Sequence, residues 1–148
     1  GQVLVTRGGQ VLAERSWGMA NRELGVPITP ETRIGIASIT KPMTIIVATR
    51  LIEEKKLAMS DTLGRFIPGF AAGDSITVEH LLHHRAGIPH RVTTEADETL
   101  PITHAGLVEF ARKATLLFEP GSSGSYSSGG FTVPFPKPER SWWKPWAT

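Results

Sequence analysis

Residues 33–57 read RIGIASITKPMTIIVATRLIEEKKL, and the fold turns on how this stretch is understood. Ile45, Ile46, Ala48, Thr49 and Ile52 recur near helical spacing, which predicts a helix over about 38–56 with an apolar face turned to a core. Pro42 is compatible with it because it falls in or near the first turn, where its missing N–H has no helical partner to lose. Glu53, Glu54, Lys55 and Lys56 form the solvated end. At the mouth of this oily segment stand Ser38 and Lys41, three residues apart and on the same side of the turn, so their side chains can meet. Two readings follow. Ser38 caps the helix while Lys41 reaches to water, or the two are aimed at each other for chemistry. A serine hydroxyl is a poor nucleophile at neutral pH and needs a neighbouring base. A lysine serves as that base only when uncharged, and moving an ammonium from ~10.4 to near 7 disfavours the cation by about 4 kcal/mol. An apolar wall has this effect, and Met43, Ile45 and Ile46 are candidates for it; a second nearby positive charge is another means. The spacing alone does not decide, since Ser141 and Lys144 repeat it in a proline-laden tail with no helix to orient them.

Upstream, VLVTRGGQVLAERSWGMAN (3–21) reads as a hairpin. Val3 to Thr6 and Val11 to Glu14 are β-prone, and Gly8-Gly9 supply the positive φ of a tight turn. Pro27 and Pro30 mark the loop that follows. Downstream, SDTLGRFIPGFAAGDS (60–75) reads as turn-rich connection. ITVEHLLHHRAGIP (76–89) reads as a short helix stopped by Gly87 and Pro89. Leu107 to Leu117 reads as an amphipathic helix with Glu109, Arg112 and Lys113 on its wet side. FEPGSSGSYSSGG (118–130) reads as loop throughout, with Tyr126 its only large side chain beyond the opening Phe118. The last sixteen residues, VPFPKPERSWWKPWAT, carry four prolines and are expected to be irregular.

At 148 residues the chain is about one domain long, with the 40% hydrophobic and 20% charged composition of an ordinary globular protein. A net charge of +2 with scattered Lys and Arg leaves no footprint for nucleic acid. The longest apolar run, Ile45 to Ala48, falls far short of the ~20 residues of a membrane span. The absence of cysteine excludes disulfides, thiolate catalysis and Cys-type zinc sites. The chain opens at Gly1 on a strand, without an initiator Met, a basic n-region or an h-region. We therefore expect either a removed targeting segment or a piece of something longer, and localisation stays unassigned.

Four stretches, in order, resemble the β-lactamase-related serine hydrolases, the superfamily of class C β-lactamases, DD-peptidases (penicillin-binding proteins) and esterases. RIGIASITKPMT…LIEEKKL looks like its nucleophile helix. ITVEHLLHHRAGIP resembles its ITIRHLLTHTSGLP segment, and FEPGSSGSYSSGG resembles its FEPGTxFxYSNxG. The opening hairpin matches the strands that precede the nucleophile helix. The resemblance covers residues 1–133 and implies an α/β fold (α+β type), the β-lactamase/transpeptidase-like fold. It makes Ser38 the acyl-accepting nucleophile, Lys41 its proton partner and Tyr126 the phenol that shares that proton or passes it to the leaving group. Lys⁺ beside a phenol lowers the phenol's pKa, and a phenolate favours Lys⁺, so the pair titrates as a unit. One oxyanion donor would be the Ser38 N–H, near a helix N-terminus where partial positive charge gathers. The SITKP form of the motif leans to the esterase branch.

Three departures matter. Ser128 stands where the Tyr-x-Asn motif has Asn, so as a substrate-binding residue it keeps a donor and an acceptor but loses the amide's reach; relatives with YSSGG are again esterase-like. After YSSGGFTV the family continues with a helix resembling LLGAIIERVSGKPF. Here Glu139, Arg140, Lys144 and Pro145 keep that register, but Pro134, Pro136 and Pro138 occupy it, at about 3 kcal/mol each in a helix interior. Residues 134–148 are therefore expected to be a corrupted or non-native tail. Finally, the family's central and far-edge strands, its Lys-Thr-Gly or His-x-Gly motif and its second oxyanion donor have no counterpart here. The fold is expected to be incomplete and the chain to be an N-terminal portion with little or no turnover. The two opening strands should then present an exposed edge and an unburied face.

His80 and His84 have the i,i+4 spacing of a helical metal pair, with His83 and His90 close by, but Leu81 stands where a zincin needs Glu. A structural role for His84, which matches the histidine of THTSG, is preferred, and no metal or other cofactor is expected. Trp142, Trp143 and Trp146 in the tail are read as accidental rather than as a membrane or nucleic-acid element. The expectation is a serine hydrolase acting by acyl transfer on a small ester or amide, esterase-like before β-lactamase or DD-peptidase. The rival is a non-catalytic remnant serving as scaffold or binding module. Nothing in the sequence specifies an oligomeric state.

Overall fold

The computed structural model describes residues 1–93 and 102–133 and divides the chain into two units, Gly1–Ala37 and a second that begins at Ser38. In the first, Gly8 and Gly9 take φ of 54° and 80°. This two-residue turn closes an antiparallel hairpin of β1 (Gln2–Arg7) and β2 (Gln10–Ser16), with Arg7 opposite Gln10 and a register shift between Val5 and Thr6. β3 (Met19–Asn21) and β4 (Val26–Pro27) form a second small ribbon. The Gln2 side-chain amide ties β1 to the loop beyond by donating to Thr29 O and Thr32 O. Val3, Leu4, Val5, Val11 and Leu12 are all exposed. A two-stranded ribbon of this kind has ladder bonds but little apolar burial to stabilise it.

A 3-10 turn, Ala37–Ile39, at the start of the second unit's chain leads into α1 (Thr40–Glu53). The α-helix is shorter than expected at both ends, and Pro42 falls in its first turn. Its packed stripe also differs from the expected one. Lys41 and Thr44 are half-buried, Ala48 and Leu51 buried and Ile52 half-buried, whereas Met43, Ile46, Val47 and Thr49 are exposed and Ile45 is 37% exposed. The reason is competition between two apolar faces. The stripe that finds partners runs through Ala48, Leu51 and Ile52, which pack with Leu57, Val78 and Leu82, and nothing among the described residues covers the other.

Residues 60–75 contribute more than the connection expected of them. α2 (Leu63–Phe66) forms one helical turn, and Leu63, Ile67 and Phe70 enter the main core with Ile76, Leu81, Ala86, Ile88, Ala111 and Val133. Burying each large aliphatic side chain contributes roughly 1.5–3 kcal/mol, which offsets the entropy of ordering so irregular a segment.

α3 (Val78–Leu82) starts at a capping box in which Thr77 Oγ1 accepts from His80 N (3.2 Å) and His80 Nδ1 accepts from Thr77 N (3.4 Å). It ends earlier than Gly87, because His84 takes a left-handed φ of 58° that no helix continues. Val78 and Leu82 face α1 while Leu81 faces the main core, so this short helix joins both clusters. α4 (His104–Lys113) is capped by Thr103, whose hydroxyl accepts from Gly106 N (3.1 Å). It stops before Leu116, which packs on the core from the loop. On its wet side Arg112 pairs with Glu109 and donates to Pro68 O (3.1 Å). No helix among the described residues is long and apolar enough to cross a membrane.

The glycine–serine segment is loop as far as Ser128, but Gly129–Thr132 then form one helical turn, α5, contrary to the expectation of loop throughout. Ser127 Oγ accepts from Gly130 N (2.8 Å) and so fixes the start of that turn. Gly129 is there for space, because a Cβ would run into Pro89 O and the Val92 side chain. The expectations for residues 134–148 lie outside the described residues.

Candidate active site

Ala37, a non-glycine residue at φ 45°, bends the chain sharply just before Ser38. The 3-10 turn that it begins leaves Ser38 exposed at the head of α1, with Lys41 one turn on and on the helix's packed stripe. This disposes of the solvent-facing reading of Lys41. Its Nζ donates to Ser38 Oγ (3.3 Å) and, more closely, to Ser128 Oγ (3.0 Å). Tyr126 Oη donates to Ser38 Oγ (2.7 Å). Ser38, Lys41, Tyr126 and Ser128 are thus brought into one cluster, although 87 positions separate Lys41 from Ser128.

The expected wall of Met43, Ile45 and Ile46 does not surround Lys41, because those side chains lie on the uncovered face of α1. Aromatic rings take its place, with Nζ lying 4.8 Å from the centroid of Tyr126 and 5.6 Å from that of Phe131. A π-face attracts a cation rather than expelling it. The Lys41 ammonium, then the Ser38 hydroxyl, hold the Tyr126 phenol below the usual tyrosine range. The proton on the phenol is thus easier to remove beside Lys41 than in a free tyrosine.

The loop bearing Tyr126 is gripped by the turn after α3. Ser125 N donates to His84 O (3.0 Å) and Ser127 N to His84 Nδ1 (3.1 Å). Ser127 Oγ donates to Pro89 O (3.1 Å), Ser128 N to His90 Nδ1 (3.2 Å) and Gly129 N to His90 O (3.1 Å). The Tyr126 ring sits 4.7 Å from the ring of His84 and 5.3 Å from that of His90. Burial, then the Lys41 charge, lower the pKa of His84 below the usual histidine value.

The sequence offered a signal for His84 but none for His90, Ser127 or Phe131, whose parts come only from chain segments meeting in space. The i,i+4 pair His80 and His84 is not arranged as metal ligands, since each Nδ1 accepts from a backbone N–H. No group of three or more His, Asp or Glu among the described residues could hold a metal ion.

A serine hydroxyl at a helix head, met by a lysine and a tyrosine from a distant loop, defines the class of β-lactamase-related serine hydrolases. The Beta-lactamase family model matches residues 1–133, and the chain belongs to that family. Esterase EstB of Burkholderia gladioli is 31% identical over 142 residues, covering 84% of this chain and 36% of that protein. Penicillin-binding protein 4* of Bacillus subtilis (strain 168) is 28% identical over 145 residues, covering 90% of this chain and 30% of that protein. Among solved structures, EstCE1, a hydrolase with promiscuous acyltransferase activity, superposes with a TM-score of 0.67 at 31% identity, over 89% of this chain and 39% of its own. The chain thus spans about a third of the relatives it matches, and the fold it shares with them is the β-lactamase/penicillin-binding-protein fold in part.

Proposed function

We propose that the cluster is the acyl-transfer site of a serine hydrolase acting on small esters or amides. The observation that carries this reading is the Ser38 oxygen, approached by Tyr126 Oη at 2.7 Å and Lys41 Nζ at 3.3 Å. In its reacting state Tyr126 is a phenolate paired with the Lys41 ammonium and takes the Ser38 proton. Ser38 Oγ forms a bond to the carbonyl carbon, and the oxyanion is met by the Ser38 N–H at the helix head. As the bond to the leaving group breaks, the Tyr126 proton passes to the departing oxygen or nitrogen. Water then enters with the Tyr126 phenolate as base. It adds to the acyl carbon as Tyr126 takes its proton. That proton passes to Ser38 Oγ as the bond from Oγ to the acyl carbon breaks, and the acyl group leaves as a carboxylic acid. No cofactor takes part.

Ester substrates are favoured over β-lactams and D-Ala-D-Ala peptides. The Ser128 hydroxyl is already engaged by Lys41, which makes it a poorer partner for a substrate amide than the family's Asn. The names of EstB and EstCE1 point the same way. A fluorophosphonate probe tests the reading. Labelling of Ser38 that disappears in Ser38→Ala supports it, whereas a folded chain that stays unlabelled supports the scaffold reading, which the uncovered face of α1 favours. Little or no turnover is expected of residues 1–148 by themselves, which span about a third of the relatives they match.

A further inference from the structure

Consecutive backbone amides, Ser127 N and Ser128 N, donate to the Nδ1 atoms of two different histidines, His84 at 3.1 Å and His90 at 3.2 Å. A nitrogen that accepts from an N–H carries no proton, so each imidazole is held as the tautomer with its proton on Nε2. Tyr126 lies immediately before this pair of amides, and its ring stands against both imidazoles. Ser128, which receives the Lys41 ammonium, is itself one of the two gripped residues. We propose that His84 and His90 form a clamp of neutral imidazoles that positions Tyr126 and Ser128 on Ser38 and Lys41, and that protonation of His84 opens it.

The catalytic meaning of the clamp rests on the acyl-transfer reading, but its geometry does not. An imidazolium would aim an N–H at the Ser127 N–H, turning an attraction into a repulsion and releasing the loop. The charged and titratable groups facing His84 are Lys41 from α1, His90 from the far side of the same turn and the phenol of Tyr126. The Lys41 ammonium opposes the imidazolium, so the clamp stays shut at neutral pH and yields in acid. His84 also occupies a left-handed backbone site at φ 58°. Asparagine tolerates that conformation and places its Oδ1 near the position of Nδ1, without a proton to gain. His84→Asn therefore keeps the Ser127 half of the clamp shut in acid.

Tyr126 is the only tyrosine in the chain, so phenol absorbance reports on its surroundings without any turnover. In His90→Leu and His84→Ala the phenol should titrate closer to ~10, the free value, having lost Lys41 and Ser38, while His84→Asn should keep the wild-type titration. Folded variants that titrate as wild type would overturn the positioning role. If His84→Ala does not fold, His90→Leu, at an exposed site, answers the same question. The acid switch is read by amide NMR. The Ser127 cross-peak should follow the His84 imidazole titration in the wild type and be flat in His84→Asn. An unresponsive Ser127 amide, or a neutral His84 with its proton on Nδ1, would overturn the clamp. Intact coupling in a chain whose Ser38 is never labelled by a fluorophosphonate would support the clamp and count against the acyl-transfer reading alone.

Discussion

The phenol oxygen of Tyr126 lies 2.7 Å from the Ser38 hydroxyl, although 88 positions of chain separate them. Two independent features converge on that contact. The left-handed Ala37 places Ser38 at the helix head, and the double histidine grip brings the loop to it. Helix capping explains neither, since the Ser38 side chain caps nothing in α1 and the helix's own N-cap, Ile39, makes no side-chain bond.

Removing the phenol oxygen should therefore silence Ser38 without unfolding the chain. For Tyr126→Phe, we expect fluorophosphonate labelling of Ser38 to slow by about 10²–10⁴, the usual weight of a positioned proton carrier. Because Tyr126 is 49% exposed and keeps its ring stacking, the unfolding free energy should change by no more than about 0.5 kcal/mol. Labelling at wild-type rate would remove Tyr126 from the proposed chemistry.

Lys41→Met keeps the stem and removes the charge. The phenol, lowered first by Lys41 and then by Ser38, should then titrate higher, which absorbance of the single tyrosine measures directly. Labelling of the wild type should rise with pH through the phenol's titration and level off below ~10. The sign for stability is distinct. A lowered phenol loses its proton earlier in the folded chain than in the unfolded one, so its contribution is complete above ~10 and is lost as pH falls through the folded value.

How far the sequence was legible depended on whether a feature was local. The Gly8-Gly9 turn could be read from backbone chemistry; the spacing of Ser38 and Lys41 left two readings open, and their pairing, like Tyr126, was legible only from its place in a family-like motif. The packed face of α1 could not. Ile45–Ile46 and Ala48–Leu51–Ile52 are both apolar, and only the partners on α3 decide between them. Gly129 read as a loop residue because helix propensity counts against glycine, whereas its reason is close approach to Pro89. His90 has no mark of its own in the sequence, since its function is to meet an amide 38 positions away.

Acid should weaken the second unit through His84. Its folded pKa lies below the ordinary value because of burial and then Lys41, so between the folded value and ~6.5 the unfolded chain binds more protons. Stability in that window rises with pH. The contribution is fully present above ~6.5 and is lost as pH falls through the folded value. Urea unfolding of the wild type from pH 7.5 to 4.5 should show this slope, and His84→Asn should flatten it. An equal slope in both would assign the acid sensitivity elsewhere.

Gly129→Ala adds one methyl at the point where α5 meets the turn after α3. The new Cβ would collide with Pro89 O and the Val92 side chain, and a backbone oxygen cannot swing aside as a side chain can. Overpacking of this kind costs roughly 1–3 kcal/mol, against a helix-propensity gain of about 1 kcal/mol if the site were open. A loss in denaturant midpoint together with slower labelling of Ser38 is expected, since the same collision dislodges the amides held by His90. A gain in stability would mean that the two segments are not in contact.

The two faces of α1 provide the last comparison. Leu51 is 6% exposed and packs with Val78 and Leu82, whereas Ile46, five residues earlier on the same helix, is 67% exposed. Leu51→Ala should cost about 2–5 kcal/mol, the range for a buried leucine that leaves a cavity. Ile46→Ala should stay within about 0.5 kcal/mol, with Ala's better helix propensity offsetting whatever small burial is lost. Both are measured by urea unfolding of the 148-residue chain. If Ile46→Ala proves as damaging as Leu51→Ala, the outer face of the helix is covered in solution.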